Sequence, residues 1–172
     1  MTLVYIPATL AMLQRLVADG SVRPVNGTAF ALTPALREAY AEGDDDELAE
    51  VALREAALAS LRLLADDAGA TGSLPPRRAV LAAEVDFGES GVTYRPDLDD
   101  AVVRLSGPVA LADVIAAYVD NAGAEPAVTK AIEAIDAADL GDEDAELIVG
   151  DAQDHDLAWY ANQELPFLLE LL

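Results

Sequence analysis

The chain has 172 residues, 53% of them hydrophobic and 24% charged, a globular composition whose length allows roughly 70% of the unfolded surface to be buried. The absence of cysteine excludes disulfides, thiolate metal centres and a cysteine nucleophile, and fits a reducing cytosol. Ten Lys and Arg stand against 32 Asp and Glu, and the net charge of −22 opposes phosphate backbones and anionic membranes, so neither nucleic-acid nor membrane binding is expected.

Leu3–Ile6 is apolar and β-prone, and Pro7 is expected to end that strand. Thr9 is placed to cap a helix carrying Leu10, Leu13, Leu16 and Val17 on one side and closing at Asp19-Gly20. Asn26-Gly27 is a hairpin-turn signal leading into a strand at Ala29–Leu32, while Pro24 makes the preceding arm an edge at best. Thr33-Pro34 opens a short helix. Asp44-Asp45-Asp46-Glu47 opens a long one reaching about Asp67, its carboxylates at the end the helix dipole favours.

A loop is expected from Gly69 to Pro76. Arg78–Val85 then reads as a strand buried on both faces, Val92–Tyr94 as a short strand in a turn-rich stretch, and Val102–Leu105 as another, broken by Ser106-Gly107-Pro108. Leu111, Val114, Ile115 and Tyr118 are spaced for a helix over Leu111–Asp120. Helices are predicted from Glu125-Pro126 and from Asp142 to near Gly150, followed by a strand at Leu157–Tyr160 and a last helix capped by Asn162 and running to Leu171. The order implies one domain over 1–172. Its class is α+β, with a mixed sheet of about four or five strands, helices packed on it and a helix-rich C-terminal half. A ferredoxin-like core with an added helical part is the alternative.

The N-terminus lacks the basic region of a secretory signal, and no apolar run approaches the ~20 residues of a membrane span. Glycine-rich phosphate loops are absent, and Lys130, the single lysine, lies within a predicted helix. The acidic runs Asp44–Glu47 and Asp142–Asp144 lack the register of a calcium loop, and Asp151–Asp156 lacks its glycine, so no metal or cofactor is expected. His155 is the only histidine and stands between Asp154 and Asp156, with Trp159, Tyr160 and Glu164 nearby. A histidine beside carboxylates can serve as a general base. Strand alternation, however, sets His155 with Leu157 and Trp159 and turns Asp156 and Tyr160 the other way, as an ordinary turn histidine would be. Ser106 follows a strand without a nucleophile elbow, and Ser21, Ser60, Ser73 and Ser90 have no catalytic context. The candidate catalytic residues are therefore His155, Tyr160 and Ser106.

Four segments, Val4–Leu10, Gly27–Glu38, Asp139–Ala145 and Trp159–Leu165, together resemble a family of conserved hypothetical proteins from actinobacteria. The resemblance spans nearly the whole chain; it implies a bacterial cytosolic origin and carries no activity, cofactor or catalytic residue.

The C-terminal segment, with Leu165, Phe167, Leu168, Leu169, Leu171 and Leu172, is apolar nearly all round. It is either buried in the domain or meets a protein partner or a second copy. The expected function is a non-enzymatic protein-binding or adaptor module of the cytosol. The alternatives are a small enzyme or ligand binder of unrecognised type and an acidic mimic of nucleic acid.

Overall fold

The computed structural model describes residues 2–67, 74–86 and 91–172. Nine strands and six helices follow one another as β1 (Thr2–Ala8), α1 (Leu10–Asp19), β2 (Ser21–Val22), β3 (Thr28–Phe30), α2 (Pro34–Ala39), α3 (Asp45–Asp66), β4 (Ala79–Val85), β5 (Val92–Tyr94), β6 (Val102–Leu105), β7 (Val109–Ala110), β8 (Val114–Val119), α4 (Glu125–Asp139), α5 (Glu143–Gln153), β9 (Ala158–Ala161) and α6 (Leu165–Glu170). The class is mixed α and β, as the sequence implies. The main sheet is larger than the expected four or five strands: seven, in the order β5-β6-β3-β1-β4-β8-β9, with every neighbouring pair antiparallel. β2 and β7 form a separate two-stranded piece.

Alternation along the central strands builds two cores. Val4, Ile6 and Ala8 of β1 and Ala79, Leu81 and Ala83 of β4 face one side, where Leu10, Leu13 and Leu16 of α1 and Leu165 and Leu168 of α6 cover them. Tyr5, Val80 and Ala82 face the other, against Leu48, Ala52 and Ala56 of α3. Beyond α3, its Leu61 meets Val128, Ala131 and Ile135 of α4 and Val149 and Ala152 of α5. Ser60, fully buried, ties α3 to the sheet: its Oγ donates to the Ala8 carbonyl at 2.7 Å and accepts from the Ala79 amide at 3.0 Å.

The helix starts obey local chemistry. The hydroxyls or carboxylates of Thr9, Thr33, Asp44 and Asp142 each accept an amide of the first turn. Four expectations need correction. Pro7 lies inside β1, opposite Val80, rather than ending it; on the other side, β1 meets β3 at the single pair Tyr5–Phe30. Asn26 (φ 57°) and Gly27 (φ 70°) do adopt left-handed backbone, but no hairpin forms, because Val22 pairs with Val109 of β7 instead of β3. Gly27 is required there for a second reason: a Cβ would lie 2.5 Å from the Leu105 carbonyl oxygen. Leu111–Asp120 is not a helix; a single 3-10 turn at Leu111–Asp113 leads into β8, so the C-terminal half is less helical than expected. The final helix starts at Leu165, and the Asn162 side chain, instead of capping it, donates to the carbonyls of Leu111 (2.7 Å) and Val114 (2.6 Å). Gly69 to Ser73 of the expected loop, and Ser90, lie outside the described residues.

Candidate functional site

The site begins with a charged residue at the head of an apolar strand. Arg78 precedes β4, and its side chain is 1% exposed while that of Asp120, just after β8, is 0%. The guanidinium grips Asp120 with both edges of its fork: Nε donates to Oδ2 at 2.9 Å and Nη2 to Oδ1 at 2.8 Å. The Arg78 amide adds a bond to Oδ2 at 2.8 Å. Nη1 donates to Oε1 of Gln153 at 2.7 Å, and Nη2 to the His155 carbonyl at 2.8 Å. Gln153 in turn donates to the Arg54 carbonyl of α3 at 3.1 Å. One cation thus fastens β4, β8, the end of α5, and the loop entering β9.

Over this knot opens a cleft of about 270 Å³ between α3 and the β8–β9 margin. Glu50, Arg54, Tyr118, His155 and Asp156 supply its polar wall. The Tyr118 ring meets Tyr5 edge to face, with centroids 6.4 Å apart. Burial raises the Tyr118 hydroxyl pKa, and Glu50 adds to it; Tyr5 is raised by burial, then by Tyr118, Asp46 and Glu50. Both phenols are therefore neutral hydrogen-bonding groups at neutral pH, not phenolate bases.

The three candidate residues do not meet. His155 is exposed in the loop before β9, on the cleft, and its carbonyl rather than its ring is tied down. Tyr160 turns to the opposite face of the sheet, against the core under α1 and α6. Ser106 follows β6, separated from β9 by five strand spacings, or about 24 Å. There the Ser106 amide donates to the Gly91 carbonyl at 3.1 Å and its Oγ occupies the space beside Gly91, where a Cβ would come within 1.8 Å; Ser106 closes the β5–β6 pair. Asp156 does not turn away as expected, because β9 starts only at Ala158; it lines the cleft beside His155. Sequence reading missed Arg78, Asp120, Gln153 and Tyr118. Arg78 at the head of a fully apolar strand was the available signal. Among the described residues no three His, Asp or Glu side chains converge as metal ligands, and no helix is long and apolar enough to cross a membrane.

A larger hollow of about 550 Å³, bounded by Arg15, Asp19, Arg23 and Asp66 among others, contains none of the three candidates. On the flank of α3, burial and then the Asp99 carboxylate raise the Glu55 pKa, with Arg62 partly opposing them. Arg62 is held by Asp139 at 3.0 and 2.9 Å and keeps that carboxyl below its ordinary range. A carboxyl whose folded pKa is raised contributes its full stability below its unfolded pKa of about 4.3 and loses it as pH rises through the folded value. Glu55→Gln is therefore expected to raise the melting temperature relative to the parent near pH ~7, with the gap closing toward about pH 4. Thermal unfolding of both proteins across that range checks it.

The C-terminal segment divides its apolar residues. Leu165 and Leu168 are buried, and Leu169 and Leu172 pack on the same core. Phe167 is 68% exposed and Leu171 is 85% exposed, four residues apart and so on one face of the helix. Trp159, on β9 opposite Tyr118, is 57% exposed.

The chain belongs to the family of unknown function DUF6912, whose model matches residues 2–169. No curated protein and no solved structure matches it.

Proposed function

We propose that the protein is a non-enzymatic binding module that captures a protein partner through its C-terminal stretch, β9 to α6. The observation that carries this reading is the division of that stretch. Leu165 and Leu168 anchor it in the core, while Trp159, Phe167 and Leu171 stand out in solvent. Large apolar side chains fixed on a firmly packed element offer a partner area at little ordering cost. The dispersal of His155, Tyr160 and Ser106 over the sheet supports a role without catalysis by these residues.

The test uses the surface residues, since the anchors belong to the core. Phe167→Ser with Leu171→Ser is expected to leave the melting temperature within a few degrees of the parent and to abolish retention of a partner on the immobilised protein. Undiminished retention by the double variant would overturn the reading.

A second reading, a small-ligand binder, is favoured by the cleft over Arg78, where Tyr118, Glu50, Arg54 and His155 converge. It requires a dose-dependent thermal shift with a metabolite, removed by Tyr118→Ala; a ligand at 100 times its Kd gives about 2.7 kcal/mol.

A further inference from the structure

β9 is the last strand of the main sheet, and among the described residues no strand pairs with its outer side. Edge strands are ordinarily blunted by lysine, proline or a bulge. The sequence Ala158-Trp159-Tyr160-Ala161 has none of these, and its register with β8 runs without interruption. The opposite edge differs: β5 is only three residues long and is followed by Arg95 and Pro96.

The ladder fixes which groups face outward. The Ala161 amide is engaged by Glu164 Oε1 at 3.2 Å and so turns away from β8. In an antiparallel pair such residues alternate with those bonded inward. Trp159, two residues earlier, therefore presents both its N–H and its C=O to the open edge. Carboxylates bracket these groups: Asp154 and Asp156 precede the strand, and Glu164 sits on the edge itself. No Lys or Arg lies between Lys130 and the end of the sequence.

We infer that β9 accepts an extended basic segment of a partner protein, which adds an eighth strand to the sheet. The inference rests on the binding-module reading and names its occupant. Main-chain bonds to Trp159 supply pairing, and lysine or arginine side chains of the incoming strand meet Asp154, Asp156 and the Glu164 carboxylate. The charge selects against the obvious competitor: two copies pairing through β9 would bring together chains that each carry −22.

Trp159 is the only tryptophan and reports directly on the edge. The probes are short synthetic peptides alternating lysine with valine, the same peptides with glutamate for lysine, and the lysine peptide N-methylated at alternate amides. The full chain is titrated with each while Trp159 fluorescence and hydrogen exchange of its amide are followed. The lysine peptide is expected to shift the emission, to slow exchange at Trp159, and to bind at least about tenfold more tightly than the glutamate peptide at low salt, with the margin shrinking as salt rises. N-methylation is expected to remove binding without altering charge. Equal binding of the two charge types, or full binding by the N-methylated peptide, overturns the proposal. A concentration-dependent dimer with slowed exchange at Trp159 overturns it in favour of a second copy. If no peptide binds while Phe167→Ser with Leu171→Ser still abolishes partner retention, the edge proposal falls and the binding-module reading stands.

Discussion

Arg78→Ala is expected to destabilise the protein by about 3–5 kcal/mol, the cost of leaving a buried carboxylate without its partner. Asp120 has no exposure through which water could replace the guanidinium. The substitution also strips partners from the Gln153 side chain and the His155 carbonyl. The loss therefore spreads to the end of α5 and to the loop that positions β9. Arg78→Lys should recover only part of it, because an ammonium cannot reproduce the fork that spans both Asp120 oxygens. Replacing both partners, Arg78→Met with Asp120→Leu, is expected to cost less than Arg78→Ala alone, since no uncompensated charge is then buried. Denaturant unfolding of the four proteins measures the ordering. A loss below about 1 kcal/mol for Arg78→Ala, the range of an exposed ion pair, would refute the buried assignment.

Truncation after Asn162 is expected to unfold the protein, and Leu165→Ala alone to cost about 2–5 kcal/mol. Leu165 is fully buried and Leu168 nearly so, in the same cluster as Leu13 and Leu16 of α1. Removing residues 163–172 withdraws both leucines, uncovers that face of the sheet, and takes Glu164 from the Ala161 amide. Substitution at Phe167 or Leu171, on the exposed side of the same short helix, should fall within about 0.5 kcal/mol of the parent. Circular dichroism of the truncated chain and denaturant midpoints of the point variants separate the two faces. A folded, fully cooperative truncated protein would show that α6 is dispensable to the core.

The parts of the fold legible in the sequence are those decided within a few residues. Thr9, Thr33, Asp44 and Asp142 mark helix starts because a cap bonds an amide only three positions away. The apolar run Val80–Ala83 marks a strand covered on both faces because burial removes the need for polar alternation. β8 was misread for the same physical reason. Val114-Ile115-Ala116-Ala117-Tyr118-Val119 lies next to last in the sheet, and its apolar positions also satisfy a helical spacing. What distinguishes the two is pairing with Ala79–Ala83, which is remote in sequence. The candidate site was illegible for a related reason. Arg78 and Asp120 are 42 positions apart and Arg78 and Gln153 are 75 apart, so no local pattern announces that they share a hydrogen-bond network. His155 was visible because it is unique, and its exposed ring shows how little uniqueness in composition says about engagement.

The sheet order has a consequence for the growing chain on the ribosome. β1 occupies the middle of the sheet, yet its long ladder is with β4, and β3 touches it at one pair only. At synthesis rates of about 5–20 residues per second, several seconds separate the emergence of these two strands. During that interval α1, α2 and α3 can form from local bonds, while Val4, Tyr5 and Ile6 wait without their partner strand. Folding of the nucleus is thus gated by the arrival of Ala79–Val85, and a nascent chain stalled before that segment exposes an apolar strand suited to a chaperone's grip.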